Sequence, residues 1–207
     1  MPENLRVYIL DDDEAVRDSM SALLDSYGFE QKVFSSANTF LAEVSPEYAG
    51  CLLLDIRMPE MDGLEVLQRL VKDGIKLPVI IITGHGDLPM AVKAMKAGAV
   101  DFIEKPFEED VLVESVRRAM AIGEKIYLEK TEQKNLQSRI ERLTPREHEV
   151  LVHIASGRQN KVIAYDMGIS PRTIEIHRAR VIEKMQARNL SHLVRMAIEA
   201  GVLLAPN

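Results

Sequence analysis

Carboxylates, a hydroxyl and an amine stand where four short apolar runs of this chain end. Asp11, Asp12 and Asp13 follow the run Arg6–Leu10, Asp55 follows Cys51–Leu54, Thr83 closes Val79–Thr83, and Lys105-Pro106 follows Val100–Glu104. Carboxylates held at close quarters cannot all ionise unless a cation joins them. A hard divalent ion with oxygen ligands and retained waters, Mg2+ above others, is the natural occupant. An aspartate beside such an ion and a lysine is a candidate nucleophile toward a phosphoryl group, because metal and ammonium neutralise the charge on the transferred oxygens. A lone aspartate at a strand end is usually a solvated loop residue; a set with each member on its own strand end points to a site.

Positioning such a set requires a sheet. The four runs above and Gln31–Phe34 read as strands, separated by helical patterns at about 13–26, 37–44, 64–72, 88–97 and 108–122. In the first of these, Val16, Met20, Leu23 and Leu24 recur at helical spacing. Strands alternating with helices imply right-handed crossovers, hence a parallel sheet with helices on both faces. Leu52–Leu54 is apolar at every position, as a strand covered on both faces should be. With strand order 2-1-3-4-5, strands one, three, four and five are contiguous and their carboxyl ends converge on one crevice. The fold class expected is therefore a doubly wound, five-stranded parallel α/β sheet of flavodoxin-like type, followed by a separate all-α domain.

The all-α segment has sharp punctuation. Thr144-Pro145-Arg146-Glu147 is a capping box with Pro at the first helical position, and Gly157 stops the helix it opens. A short helix over about 160–167 ends at Gly168, Ser170-Pro171 opens a longer one to about Gln186, and a last helix spans about 191–200. Helix, tight turn and longer basic helix make a helix-turn-helix. Advancing 100° per residue from Ile174 brings Val181 and Met185 back within about 40° and His177 to about 60°. Arg172, Ile176, Ala179, Arg180 and Glu183 fall on the far side, a face on which Arg can read guanine or phosphate and methyl groups can meet thymine methyls. Arg158, Lys161 and Arg188 flank it as phosphate contacts. Between the halves, 124–142 lacks Pro and Gly. Ile122, Ile126, Leu136, Ile140 and Leu143 fit a broken heptad, so the segment is either a coiled coil or a solvated extension of the preceding helix.

Composition sharpens this division. The 207 residues are 46% hydrophobic and 28% charged, an ordinary globular balance. The net charge of −6, taken whole, argues against a phosphate backbone as partner. It averages opposites: residues 1–123 hold 12 Lys/Arg against 22 Asp/Glu, a net of −10, and 124–207 hold 14 against 10, a net of +4. Such asymmetry suits two modules with different partners. One cysteine, Cys51, excludes an internal disulfide and a cysteine-cluster metal site, and reads as a small buried hydrophobe. No run approaches a membrane span and no signal peptide is evident, so no membrane association and a cytoplasmic location are expected.

Two sets of motifs then carry a family resemblance. Leu10-Asp11-Asp12-Asp13, Leu52–Gly63 with its Asp55-Ile-Arg-Met-Pro, Thr83-Gly-His-Gly and Gly98–Phe107 closely resemble a response-regulator receiver domain over about 5–120. Leu143–Leu151, Asn160–Ala164 and Ile169–Arg178 resemble the LuxR-type helix-turn-helix over about 142–202, and the pair resembles the FixJ-like branch. The resemblance implies that Asp55 is the phosphoacceptor, fed by a sensor histidine kinase, with Mg2+ held by Asp11, Asp12, Asp55 and the Arg57 carbonyl. Lys105 would pair with the acyl phosphate, and Thr83 with Phe102 would form the conformational switch. It implies base contacts from Glu175, Ile176 and Ala179; Lys161, Arg172, Thr173, Arg178 and Arg180 complete the expected DNA-binding set. Glu175 departs from the basic residue many relatives carry: it either accepts from cytosine or sets specificity by repulsion.

The domains expected are a receiver over 1–122, a helical linker over 123–142 and a DNA-binding domain over 143–207. The expected activity is that of a transcription factor, not an enzyme. A haloacid-dehalogenase-type phosphatase shares Asp, Thr, Lys and Mg2+, but needs a second acid two residues after the nucleophile, where this chain has Arg57. Phosphorylation is expected to favour a receiver homodimer through Met90–Phe102 on double-stranded DNA; relief of autoinhibition without a stable dimer is the alternative. RNA polymerase is a further candidate partner. Lys105-Pro106 suits a cis peptide, and His85 reads as a solvated loop residue near the pocket.

Overall fold

A computed structural model describes residues 5–84 and 88–202; His85 lies outside them. The chain divides into two compact units, Met1–Leu128 and Glu129–Asn207.

In the first unit, β1 (Leu5–Leu10), β2 (Gln31–Phe34), β3 (Ala49–Asp55), β4 (Val79–Thr83) and β5 (Asp101–Glu104) form one parallel sheet in the order β2-β1-β3-β4-β5. Between them run α1 (Glu14–Ser26), α2 (Ala37–Glu43), α3 (Gly63–Lys72) and α4 (Leu88–Lys96). Alternate residues of each strand feed opposite layers. Leu10, Leu52, Leu54 and Ile81 face one core with Phe40, Val66, Leu67 and Leu70. Ile9, Leu53, Ile80 and Ile82 face the other with Met20, Leu24, Leu112 and Val116. β3 is buried along its whole length, as a central strand covered on both faces must be.

Glycines set two of the boundaries. β3 begins at Ala49, two residues earlier than the apolar run, because Gly50 takes part in the ladder opposite Arg6 at φ +119°. A Cβ there would lie 1.8 Å from the Arg6 carbonyl oxygen. Beyond the fifth helical pattern, α5 runs unbroken from Glu109 to Glu141, which is the extension of the preceding helix that the sequence left open for 124–142. Gly123, an unfavourable helix residue, sits inside it because the helix touches the strand backbone, and a Cβ at Gly123 would lie 2.1 Å from the Gly50 carbonyl oxygen.

The second unit contains the end of α5, then α6 (Pro145–Ala155), α7 (Asn160–Met167), α8 (Pro171–Met185) and α9 (Leu190–Glu199). The capping box at α6 is present in full, with Thr144 accepting from Glu147 N–H and Glu147 reaching back to Thr144 N–H. Gly168 ends α7 in the left-handed conformation that a tight turn needs. Ile174, Val181 and Met185 are fully buried, with Val150, Leu151, Ile163 and Leu193 around them. Leu136 belongs to the same core, and Ile140 and Leu143 pack against it. Three of the heptad positions are thus used inside this unit. No described helix is long and apolar enough to cross a membrane.

Candidate functional site

The strand ends of β1, β3, β4 and β5 deliver the predicted residues to one place. Lys105 Nζ donates to Asp11 Oδ2 at 2.7 Å and to Asp55 Oδ1 at 3.0 Å, bridging side chains 94 and 50 positions away in sequence. Asp11 and Asp55 are 2% and 7% exposed, and Thr83 is fully buried at the end of the intervening strand. The Thr83 carbonyl accepts the Lys105 backbone N–H, and Lys105-Pro106 is cis. Local bonds orient the carboxylates further: Asp11 Oδ1 accepts from Asp13 N–H at 2.9 Å, and Asp55 Oδ2 from Arg57 N–H at 2.6 Å. Asp13 itself caps α1, accepting from Ala15 and Val16.

Electrostatics follow from this geometry. Burial drags the Lys105 ammonium down, but the bonds and charges of Asp11 and Asp55 outweigh it and hold it above the ordinary lysine range. Burial pushes Asp55 up, beyond what Lys105 recovers, and the like charge of Asp11 adds to the rise. One ammonium serving two carboxylates stays charged while leaving each of them short of cation. Among the described residues, no three His, Cys, Asp or Glu side chains close into a metal-binding group. Asp11 and Asp55 close on Lys105 instead, and Asp12 is exposed. Two buried carboxylates with an exposed third fit a hard cation that keeps part of its water.

Several supporting contacts escaped the sequence. Arg17, in the first turns of α1, donates to the Asp11 carbonyl at 2.8 Å. Asn38 of α2 donates to Glu60 at 2.6 Å, steadying the loop after Asp55 where Glu60 takes φ +74°. Asp101 accepts from the N–H of Phe102 at 2.9 Å, from Ser115 at 2.6 Å and from Arg118 at 2.8 Å, tying half-buried Phe102 to α5. Burial opposes ionisation of Asp101, but these donors hold its carboxyl below the usual range. Burial pushes the Cys51 thiol up to about 12, so it is an inert core residue.

In the second unit the helical wheel matches the observed exposure. Lys161, Arg172, Glu175, Ala179 and Arg180 are exposed, and Ile176 is 48% exposed. Thr173 is half-buried with its hydroxyl 2.8 Å from that of Ser170. Arg178 is half-buried and donates to Asn160 Oδ1 at 2.8 Å. A further pair had no sequence signal: Lys184 donates to Glu147 Oε2 at 2.6 Å, 37 positions away, where Glu147 is 2% exposed. Burial opposes its charge, but Lys184 and Thr144 hold the Glu147 carboxyl below its ordinary value.

Known proteins align with both regions. Residues 7–117 match the response regulator receiver domain, and 141–197 match the bacterial regulatory proteins of the luxR family. The chain is 48% identical over 195 residues to the transcriptional regulatory protein FixJ of Rhizobium meliloti, covering 94% of this chain and 96% of that one. It is 43% identical over 190 residues to the response regulator protein TodT of Pseudomonas putida, covering 92% and 84%. Among solved structures, the response regulator StyR superposes at TM-score 0.84 with 39% identity, covering 95% of this chain and 99% of that one. Full-length FixJ from B. japonicum superposes at 0.54 with 45% identity, covering 96% and 98%.

A parallel sheet with an acidic crevice at its strand ends, joined to a helix-turn-helix, defines a phosphorylation-activated transcriptional regulator. The chain belongs to the two-component response regulators, in the FixJ-like branch that couples a receiver to a LuxR-type helix-turn-helix. The family is one of DNA-binding transcription factors and not of enzymes. Its receivers generally use Mg2+ for phosphoaspartate chemistry, and its architecture implies DNA and a histidine kinase as partners.

Proposed function

We propose that Asp55 is the phosphoacceptor and that its phosphorylation pairs two receivers so that two α8 helices engage a two-fold DNA site. The observation that carries the site is the Lys105 ammonium held between Asp55 and Asp11 at converging strand ends. One Asp55 oxygen attacks the phosphorus of a phosphohistidine; the P–N bond breaks and the imidazole leaves with the electron pair. Lys105 stands where it can neutralise the new phosphoryl oxygens. Asp11, Asp12, Asp55 and the Arg57 carbonyl would hold Mg2+, which supplies further charge neutralisation when bound. A phosphoaspartate offers acceptor oxygens to the Thr83 hydroxyl, and inward movement of Thr83 opens space for the Phe102 ring.

The pairing surface proposed is α4 with the start of β5. Leu88, Val92, Met95 and Val100 are all substantially exposed there, an apolar row that association would cover. On α8, the exposed Arg172, Glu175, Ile176, Ala179 and Arg180 are the proposed base and phosphate readers, with Lys161 on the phosphate backbone and the half-buried Thr173 and Arg178 completing the proposed DNA-binding set. The proposed divisions are a receiver over 1–122, a linker over 123–142 and a DNA-binding domain over 143–207. RNA polymerase is proposed as the partner reached from the bound DNA.

A small phosphodonor with Mg2+ tests the site. Wild-type chain should take up one phosphoryl group and shift toward dimer in light scattering, and Asp55→Asn should do neither. Undiminished labelling of Asp55→Asn would remove Asp55 from the role.

A further inference from the structure

Two helix ends in the second unit exchange cations. Arg139, near the end of α5, donates through Nη1 to the carbonyl of Met185, the last residue of α8, at 3.3 Å. In return Lys184 of α8 donates to the carbonyl of Arg142, just past the end of α5, at 3.1 Å. The last carbonyls of a helix lack intrahelical partners and carry the negative end of its dipole, so each cation lies where the other helix favours it. Lys184 also holds buried Glu147 at the start of α6, which joins three helix ends at one ammonium. Apolar packing locks the same junction: Leu136 is buried in the core that contains Met185 and Val181, and Ile140 and Leu143 pack against it. The family match to the helix-turn-helix begins only at residue 141, which leaves Leu136, Arg139 and Ile140 outside it.

From this we infer that the last turns of α5 are a brace for α8, and that Arg139 and Lys184 are positioning residues for DNA recognition. The inference rests on α8 being the recognition helix. Neither side chain lies on the exposed face of α8 that carries Arg172, Ile176, Ala179 and Arg180. Their effect passes through the tilt and axial position of that helix. Base-edge contacts depend on such placement to within fractions of an ångström, whereas phosphate contacts tolerate small shifts. Loss of the brace therefore costs sequence preference more than general affinity.

The test uses the full-length chain, phosphorylated with a small donor, and two duplexes: one selected by the wild-type chain from a random-sequence pool, and one unselected. Arg139→Gln and Lys184→Gln should each weaken binding to the selected duplex about 10-fold, the equivalent of one charge-assisted hydrogen bond. Binding to the unselected duplex should fall about 2-fold or less, since neither residue is a base reader. Arg139→Lys, which keeps a donor cation, should recover most of the preference. Circular dichroism melts run alongside, with binding measured well below the transition. A variant that melts earlier yet keeps the wild-type ratio of selected to unselected binding would show a structural role only, and overturn the inference. Should Arg139→Gln fail to fold, Arg139→Lys and Arg139→Met supply the same ratio. If the wild-type chain itself selects no sequence, the recognition-helix assignment fails and the brace falls with it.

Discussion

The acidic crevice and the exposed face of α8 are assembled in opposite ways. The crevice draws Asp11, Asp55, Thr83 and Lys105 from the ends of four different strands, and one ammonium reaches carboxylates 94 and 50 residues away in sequence. The face of α8 comes from a single stretch of 15 residues, in which spacing alone decides what points outward. A converging site has one geometry and no spare members, so it should fail all at once. A site spread along one helix shares its work, so it should fail by degrees.

That contrast can be broken or sharpened by experiment. The largest effect belongs to the crevice: Asp55→Asn should abolish labelling outright, and Lys105→Ala should uncouple any remaining label from dimer formation. Partial activity in both, read as phosphoryl incorporation and light scattering, would make the crevice as forgiving as the helix. Next comes the support beneath the crevice. Gly123→Ala presses a methyl group into backbone, not into a flexible side chain, and should cost about 3 kcal/mol in denaturant unfolding. An unchanged midpoint would show that α5 is free to lift from β3.

Glu147→Gln retains the capping geometry but removes the charge that Lys184 faces, and should cost about 2 kcal/mol at neutral pH. The carboxyl is depressed in the folded chain, so its stabilisation is fully present above the ordinary glutamate value of about 4.3. It should be lost as pH falls through the lower folded value. Wild type and variant should therefore converge in acid; a gap that persists there would assign the effect to packing. Arg180→Ala and Ile176→Ala should each weaken specific binding by about 1–3 kcal/mol while leaving the melt unchanged. Normal binding by both would detach the exposed face from recognition. The smallest effect is that of Lys161→Ala, which should lower affinity evenly across sequences and reduce the salt slope by about one.

The two regions were also legible to different degrees. The exposure of Arg172, Ile176, Ala179 and Arg180 follows from the period of one helix, with Ser170-Pro171 marking its start, whereas Glu175 came from the resemblance alone; Thr173 and Arg178 are engaged, by Ser170 and by Asn160 of the preceding helix. The crevice was legible because each member ends an apolar run, and topology rules bring those ends together. Pairings such as Lys184 with Glu147 or Ser115 with Asp101 were not, because they depend on how helices are set against one another. Gly50 hid the first turn of β3 for a related reason: it looks like a strand breaker, and its cause is the approach of Arg6 and of Gly123. The continuity of α5 was open in the sequence for the same cause, since a helix that needs a glycine to touch a strand cannot be told from one that ends there.

The contact between Gly50 and Gly123 bears on how such regulators exchange parts. A glycine in one helix is matched to a glycine in a strand 73 positions earlier, so the two behave as one inherited unit. A hybrid joined upstream of Gly123 would pair a foreign helix with this strand, and anything larger than glycine would be forced off it. A hybrid joined after Leu128 keeps both partners together and also leaves Leu136, Arg139 and Ile140 with the unit they serve. The crossover point that recombination can tolerate is thereby narrowed to a few residues of a helix that, in sequence, looks uniform along its whole length.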